Sequence, residues 1–395
     1  MAEKSDWTAI LSAFLVGVAG AIQVGRVAPV ASALQEDLHL DLSTLGWLVS
    51  LITLASALLG LMMGHWVIQA GLRRSIFAGA MLMGVCAVVS ALAQSLPVLI
   101  GARIAEGVGY LVVVVAAPTL IAREAAAKDM PFALAVWGTF FTLGLSISAI
   151  AGGAVLELIG WRGWFIASAG LVVVAALAAR LSMPADTLRT GARPRFRTIL
   201  RTTPNASWLL GTAFLGVTLL SLSILSLLPA YLAQAQGLTP GAAGGITGGV
   251  ALASIAGSLS YGMFANWFRE TFVAWVTSLF LIASAFLAFA TAASTGQIVA
   301  FAAVAIFMSG ILVAQTFAAI PGVAGSPALI ATSNGLVAQL GSVGALIGPP
   351  MVAWLISVAS WSAVPLVVAG FTLSFAVLFG LALKSGGTAR AEAPT

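Results

Sequence analysis

The sequence predicts an all-α integral membrane protein: twelve transmembrane helices in two pseudo-symmetric six-helix bundles. Three observations predict it. Hydrophobic residues make up 61% of the 395 and charged residues only 7%, with a mean hydropathy of +1.09. A soluble domain carries charge on about a quarter of its residues, so most of this surface must face lipid. Turn and charge signals cut the chain into twelve apolar stretches, each long enough for the ~20 residues that cross a bilayer core. Finally, matching residues recur between the two halves at a nearly constant offset.

The first stretch, residues 8–33, ends near Ala31-Ser32-Ala33, a small-residue tripeptide of the kind that follows a signal core. Its apolar run is longer than the 7–15 residues of such a core and contains Arg26, so we read it as an uncleaved helix. The next five spans are 43–68, 75–94, 97–121, 131–158 and 163–183. Six more follow at 207–233, 241–266, 271–293, 296–320, 328–357 and 362–384. The polar segment 184–206, rich in arginine, separates an N-terminal bundle (1–183) from a C-terminal bundle and short tail (207–395).

Charge placement orients the chain. With the N-terminus inside, the cytoplasmic face receives Lys4, Arg73, Arg74, Arg123, Lys128, Arg180, Arg189, Arg193, Arg195, Arg197, Arg201, Arg269, Lys384 and Arg390, and the outer face only Arg162. Both termini are therefore expected in the cytoplasm. The same distribution explains the net charge of +5 without a nucleic-acid partner. A single cysteine, Cys86, excludes an intrachain disulfide, and His39 with His65 are too few and too far apart for a metal cluster. No cofactor or metal is expected, and no clustered acid, Cys or His constellation suggests an enzyme.

The repeat supports the two-bundle reading. Leu40, Gly46, Leu54-Ala55-Ser56 and Gly64 match Leu238, Gly244, Leu252-Ala253-Ser254 and Gly262, and Gly144, Trp161 and Ala169-Gly170 match Gly344, Trp361 and Ala369-Gly370. Two related six-helix halves imply a transporter that rocks about a midplane site. No GxxxxGK[ST] pattern is present to supply ATP binding.

Three local motifs carry a family resemblance: "GHWVIQAGLRR" after the second span, "RIAEGVG" in the fourth, and "GLSISAIAGGAVLELIGWRGWF" through the fifth. Together they resemble the major facilitator superfamily over essentially the whole chain. Gly64, Gly71, Arg73 and Arg74 match the family's loop pattern, while Ile68 stands where it has aspartate, and Asn266 takes that place in the second copy. The opening, with its Arg26–Pro29 segment followed by "LHLDLSTLGWLVSL", and the span-4 continuation "GYLVVVVAAPTLIAREAA" look more narrowly like the cyanate-permease-like branch. The resemblance implies a bacterial inner-membrane transporter, a monomer among lipids, with spans 1, 4, 7 and 10 lining the cavity.

Arg26 on span 1, and Arg103 with Glu106 on one face of span 4, then become the central polar residues. Two readings stand for Arg26: an ion pair with Glu106, or capture of a substrate anion by its planar guanidinium. Gln23, Tyr110, Tyr231, Gln315, Asn334 and Gln339 are further substrate-binding candidates, though a buried amide equally serves as interhelical glue. Glu106 is the candidate proton carrier. Gly144, Gly152, Gly344 and Gly348, with the loop residues Gly64, Gly71, Arg73 and Arg74, are candidate hinge or gating positions or close-packing sites. The expectation is a secondary transporter of a small organic or inorganic anion, coupled to protons. The alternative is a proton-coupled exporter of lipophilic compounds.

Overall fold

The structure is a computed structural model that describes residues 4–40, 42–186, 196–238, 240–289 and 294–391. Linker residues Arg189, Arg193 and Arg195 lie outside the described residues. Among the described residues every regular element is helical, and eleven apolar helical stretches are long enough to cross a membrane. The longest, Met130–Ser182, has 53 residues. At ~1.5 Å per residue it is far too long for one crossing of a ~30 Å core. It is broken at Gly160 (φ 72°, ψ 177°), a backbone conformation open to glycine, and therefore supplies the fifth and sixth crossings.

In chain order the helices are α1 (Trp7–Gly25), α2 (Ala31–Leu38), α3 (Leu42–Ala70), α4 (Leu72–Leu92), α5 (Leu96–Glu124), α6 (Met130–Gly138) and α7 (Phe140–Ser182). They continue with α8 (Phe196–Thr202), α9 (Asn205–Gln236), α10 (Pro240–Phe264), α11 (Glu270–Phe289), α12 (Thr295–Val323), α13 (Ile330–Ala359) and α14 (Val364–Ala391). The expected single helix over 8–33 is corrected. α1 stops at Gly25, a 3₁₀ turn covers Ala28–Val30, and α2 then continues separately. Pro29 has no N–H to bond the Gly25 carbonyl, so the α-helical ladder loses a rung at this point.

One compact unit contains residues 1–133, 140–202 and 330–339. Within it α1 lies along α7, and α5 packs against both α3 and α4. The second unit contains 134–139, 203–329 and 340–395. There α12 packs against α10 and α11, and α14 against α9 and α11.

Glycines set equivalent close contacts in both units, which is how the repeat appears in three dimensions. A Cβ at Gly107 of α5 would lie 2.5 Å from the Ile52 carbonyl of α3, and one at Gly310 of α12 would strike the Ser254 carbonyl of α10. Gly144 of α7 faces Val18 and Ile22 of α1, while Gly344 and Gly348 of α13 face Leu215, Thr218 and Leu219 of α9. Gly152 lies against Pro29. Such backbone-to-backbone approach is the usual use of small residues between membrane helices.

Candidate functional site

The break in α1 creates the site. A helix leaves its last four carbonyls without intrahelical donors, and here they end inside the unit rather than in water. Arg26 is the C-cap residue of α1. The Val30 amide turns to Val27 O within the 3₁₀ turn, so Arg26 O is free, and it accepts from Trp164 Nε1 at 3.1 Å. Gln23 O and Val24 O accept from Arg103 Nη1 and Nη2 of α5 at 2.9 and 3.4 Å. Arg103 Nε donates to Leu48 O of α3 at 3.0 Å. One guanidinium thereby ties the end of α1 to α3 and α5.

The side chains of Arg26, Arg103 and Glu106 are all 0% exposed. Glu106 answers both cations: Oε1 is 2.9 Å from Arg26 Nη1, and Oε2 accepts from Arg26 Nη2 at 3.1 Å and from Arg103 Nη1 at 2.8 Å. Arg26 Nη1 also donates to Gln23 Oε1. The Gln23 amide is itself held by α7, donating from Nε2 to Ser168 O at 2.8 Å and accepting from Ser168 Oγ at 3.3 Å. Among the described residues Arg26 Nε is the one guanidinium nitrogen of the cluster without an acceptor.

Two arginines against one glutamate leave one excess positive charge. The fold offsets it in two ways. The C-terminus of α1 carries about half a negative charge from the helix dipole, and its carbonyls are those that Arg103 engages. The Arg26 guanidinium lies 4.3 Å from the centre of the Phe165 ring, whose face attracts a cation. Trp164, Phe165 and Ser168 were not expected from the sequence. They sit within "GWRGWFIAS", and only the packing of α7 on α1 shows that they face Arg26.

The other candidates lie apart from this cluster. Tyr110 of α5 is buried with its ring beside Gly20. Tyr231 donates to Ala288 O at 3.2 Å and packs on Phe289 and Trp361, ring centroids 5.0 and 4.7 Å away. Gln315 donates to Glu270 O at 2.9 Å. Asn334 donates to Thr119 Oγ1 at 3.0 Å, and Gln339 bonds the α3 backbone. Gly64 lies against the backbone of Ala331 and Thr332.

The loop between α3 and α4 is held by a further unexpected residue. Gly71 has φ +92°, and the α4 N-terminus that it opens is capped from a distance. Asp186 accepts the Arg73 and Arg74 amides, each at 2.9 Å. Arg73 reaches on to the Arg180 carbonyl, and Arg180 lies 4.9 Å over the Phe77 ring. Asp186 thus puts a carboxylate at a loop that has Ile68 at its own acid position. It stands 113 residues from Arg73, and no local pattern marks it.

Comparisons agree with this architecture. The human organic anion transporter MFSD10 (TETRAN) superposes with a TM-score of 0.81 at 16% identity, covering 95% of this chain and 99% of that one. The proton:xylose symporter XylE superposes at 0.80 with 14% identity, covering 96% of each. Identities this low speak to the fold alone. The lincomycin resistance protein of Streptomyces lincolnensis is 26% identical over 184 residues, 46% of this chain and 38% of that protein. The multidrug efflux pump LfrA of Mycolicibacterium smegmatis is 30% identical over 141 residues, 35% of this chain and 28% of the pump. The matched stretches span less than two fifths of either relative. The family profile described as Major Facilitator Superfamily matches residues 9–343, most of the chain. With eleven membrane-length apolar helical stretches among its described residues and the family profile over most of its length, the chain is a multi-pass membrane protein and belongs to the Major Facilitator Superfamily.

Proposed function

We propose that the protein is a proton-coupled exporter of lipophilic compounds, of the drug-efflux kind, in a bacterial inner membrane with both termini in the cytoplasm. The observation that carries this is the closed state of the Arg26–Glu106–Arg103 cluster. Both guanidiniums are fully buried and already answered by a carboxylate, helix-end carbonyls and an aromatic face. A substrate anion would have to displace Glu106 from this position. From Ser207 to Leu383 the only charged residues are Arg269 and Glu270, so the second half brings apolar and neutral polar surface to a substrate. The names of the lincomycin resistance protein and of LfrA point the same way. The narrower resemblance to the cyanate-permease-like branch rests on two short segments.

Glu106 takes the role of proton carrier in this reading, because it is the one carboxylate within the cluster. Anion transport is the second reading, favoured by the excess positive charge. A liposome assay separates the two. With the purified protein reconstituted and a pH gradient imposed, lincomycin or ethidium dissipates the gradient, small carboxylates do not, and Glu106→Gln abolishes the effect while sparing substrate exchange. Dissipation by carboxylates alone, lost in Arg26→Ala, would overturn the efflux reading.

A further inference from the structure

Gln339 of α13 makes an unusual contact with α3. Its Oε1 accepts the Leu61 amide at 3.0 Å, and its Nε2 donates to the Ala57 carbonyl at 3.1 Å and to Leu58 O at 3.4 Å. Ala57 C=O and Leu61 N–H are the two ends of a single i→i−4 rung of the α3 ladder. One carboxamide therefore offers an acceptor to one end of the rung and a donor to the other. Glycines permit the approach. A Cβ at Gly60 would stand 2.7 Å from Gln339 Cβ, and one at Gly335 would lie 3.2 Å from the Gly64 nitrogen.

We propose that Gln339 is a positioning residue of the transport cycle. It is an amide latch that holds the start of α13 against α3 by sharing a backbone rung. The physical point is what remains when it lets go. A side chain bonded to an ordinary orphan group would leave that group unpaired on release, which is strongly unfavourable in an apolar medium. Here the Leu61 amide and the Ala57 carbonyl close on each other as a normal rung, so both the latched and the released α3 are satisfied. The neighbouring polar contact obeys the same logic. Thr119 accepts from Asn334, but its own hydroxyl proton goes to Val115 O at 2.7 Å, a bond that survives the loss of Asn334. Contacts of this type suit a two-state element: they fix one geometry and leave the helix they grip satisfied in the other, so the cost of release falls on the Gln339 and Asn334 amides alone.

The test needs no substrate and is independent of the proposed cargo. Ala338, 8% exposed and adjacent to the latch, is replaced (Ala338→Cys) in the full-length protein in lipid nanodiscs. Maleimide labelling at position 338 is timed beside that of the native buried Cys86. Gln339→Glu keeps the acceptor and loses the donor, and Gln339→Met loses both while keeping the length. Losing about 1–2 kcal/mol of net hydrogen bonding corresponds to about fivefold to thirtyfold. We expect labelling at position 338 to accelerate by about that factor in both variants, with Cys86 unchanged. Unchanged or slower labelling at position 338, or equal acceleration of Cys86, overturns the latch. Amide exchange of the peptide 55–64 should stay protected in Gln339→Met because the rung re-forms, and loss of that protection overturns the self-closing rung.

Discussion

Removing the glutamate and removing one arginine should differ sharply, although each deletes one partner of the same ion pair. Glu106→Gln leaves two guanidiniums, both 0% exposed, against a neutral amide. The three short contacts at 2.8, 2.9 and 3.1 Å lose their charge assistance together, and the local charge rises from one excess positive to two. Breaking a buried pair by removing one partner costs roughly 3–5 kcal/mol, and the second cation puts this case at the upper end. Arg26→Met takes the local charge from one excess positive to zero. It leaves Arg103 and Glu106 as a neutral pair, and the thioether remains against Phe165. Removing one partner of a buried pair is costly chiefly because it leaves the other charge unanswered; here Arg103 still answers Glu106, so we expect the loss to be mainly that of the Arg26 hydrogen bonds, about 1–3 kcal/mol.

The sign of the double variant is the sharper test. Arg26→Met added to Glu106→Gln removes one of two unanswered cations and should restore stability, although each change alone lowers it. Cys86, the single and buried thiol, makes the measurement direct: a fluorogenic maleimide reports its exposure during thermal unfolding in detergent. The expected order of apparent melting temperature is wild type, then Arg26→Met, then the double variant, then Glu106→Gln. If Glu106→Gln melts at or above Arg26→Met, or if the double variant melts below Glu106→Gln, the electrostatic account of the cluster is refuted.

Asp186→Asn should weaken the distant cap of α4 by about 1 kcal/mol, within the range for loss of a helix cap, and hydrogen exchange should speed at residues 72–76 while the rest of α4 stays protected. Gly107→Ala and Gly310→Ala should each cost about 1–3 kcal/mol by overpacking against a backbone carbonyl that cannot turn aside, and similar losses of melting temperature in the two would support their equivalence in the repeat. Trp164→Phe keeps the aromatic bulk and strands the Arg26 carbonyl, so we expect a loss of about 1–3 kcal/mol, seen as faster maleimide access to Cys86.

How much of this could be read from the sequence follows from which interactions are local. The spans were legible because a bilayer imposes apolar length, and the Arg26, Arg103 and Glu106 set because charge inside such spans is rare. The end of α1 was written in Pro29, yet composition alone ran the helix on to residue 33. The partners that complete the cluster were not legible. Ser168 lies 145 residues from Gln23, and a serine or phenylalanine in an apolar helix looks the same whether it faces lipid or a guanidinium. Asp186 was hidden for the opposite reason, since one acid in a polar linker is unremarked until the chain folds back onto α4. Gln339 was visible, with Asn334, as one of two amides in an apolar span, but nothing local told a substrate ligand from a partner for another helix.

The geometry of the cluster also limits how the end of α1 can move. Arg26 is its C-cap, and its final carbonyls are held by Arg103 and Trp164 rather than by a continuing helix. Movement of this end relative to α7 would break the Trp164 bond and the Gln23–Ser168 bond together, and would leave Glu106 with Arg103, its partner on α5. No charged residue occurs from Thr271 to Leu383, so that stretch holds no counterpart of the Arg26–Glu106–Arg103 cluster.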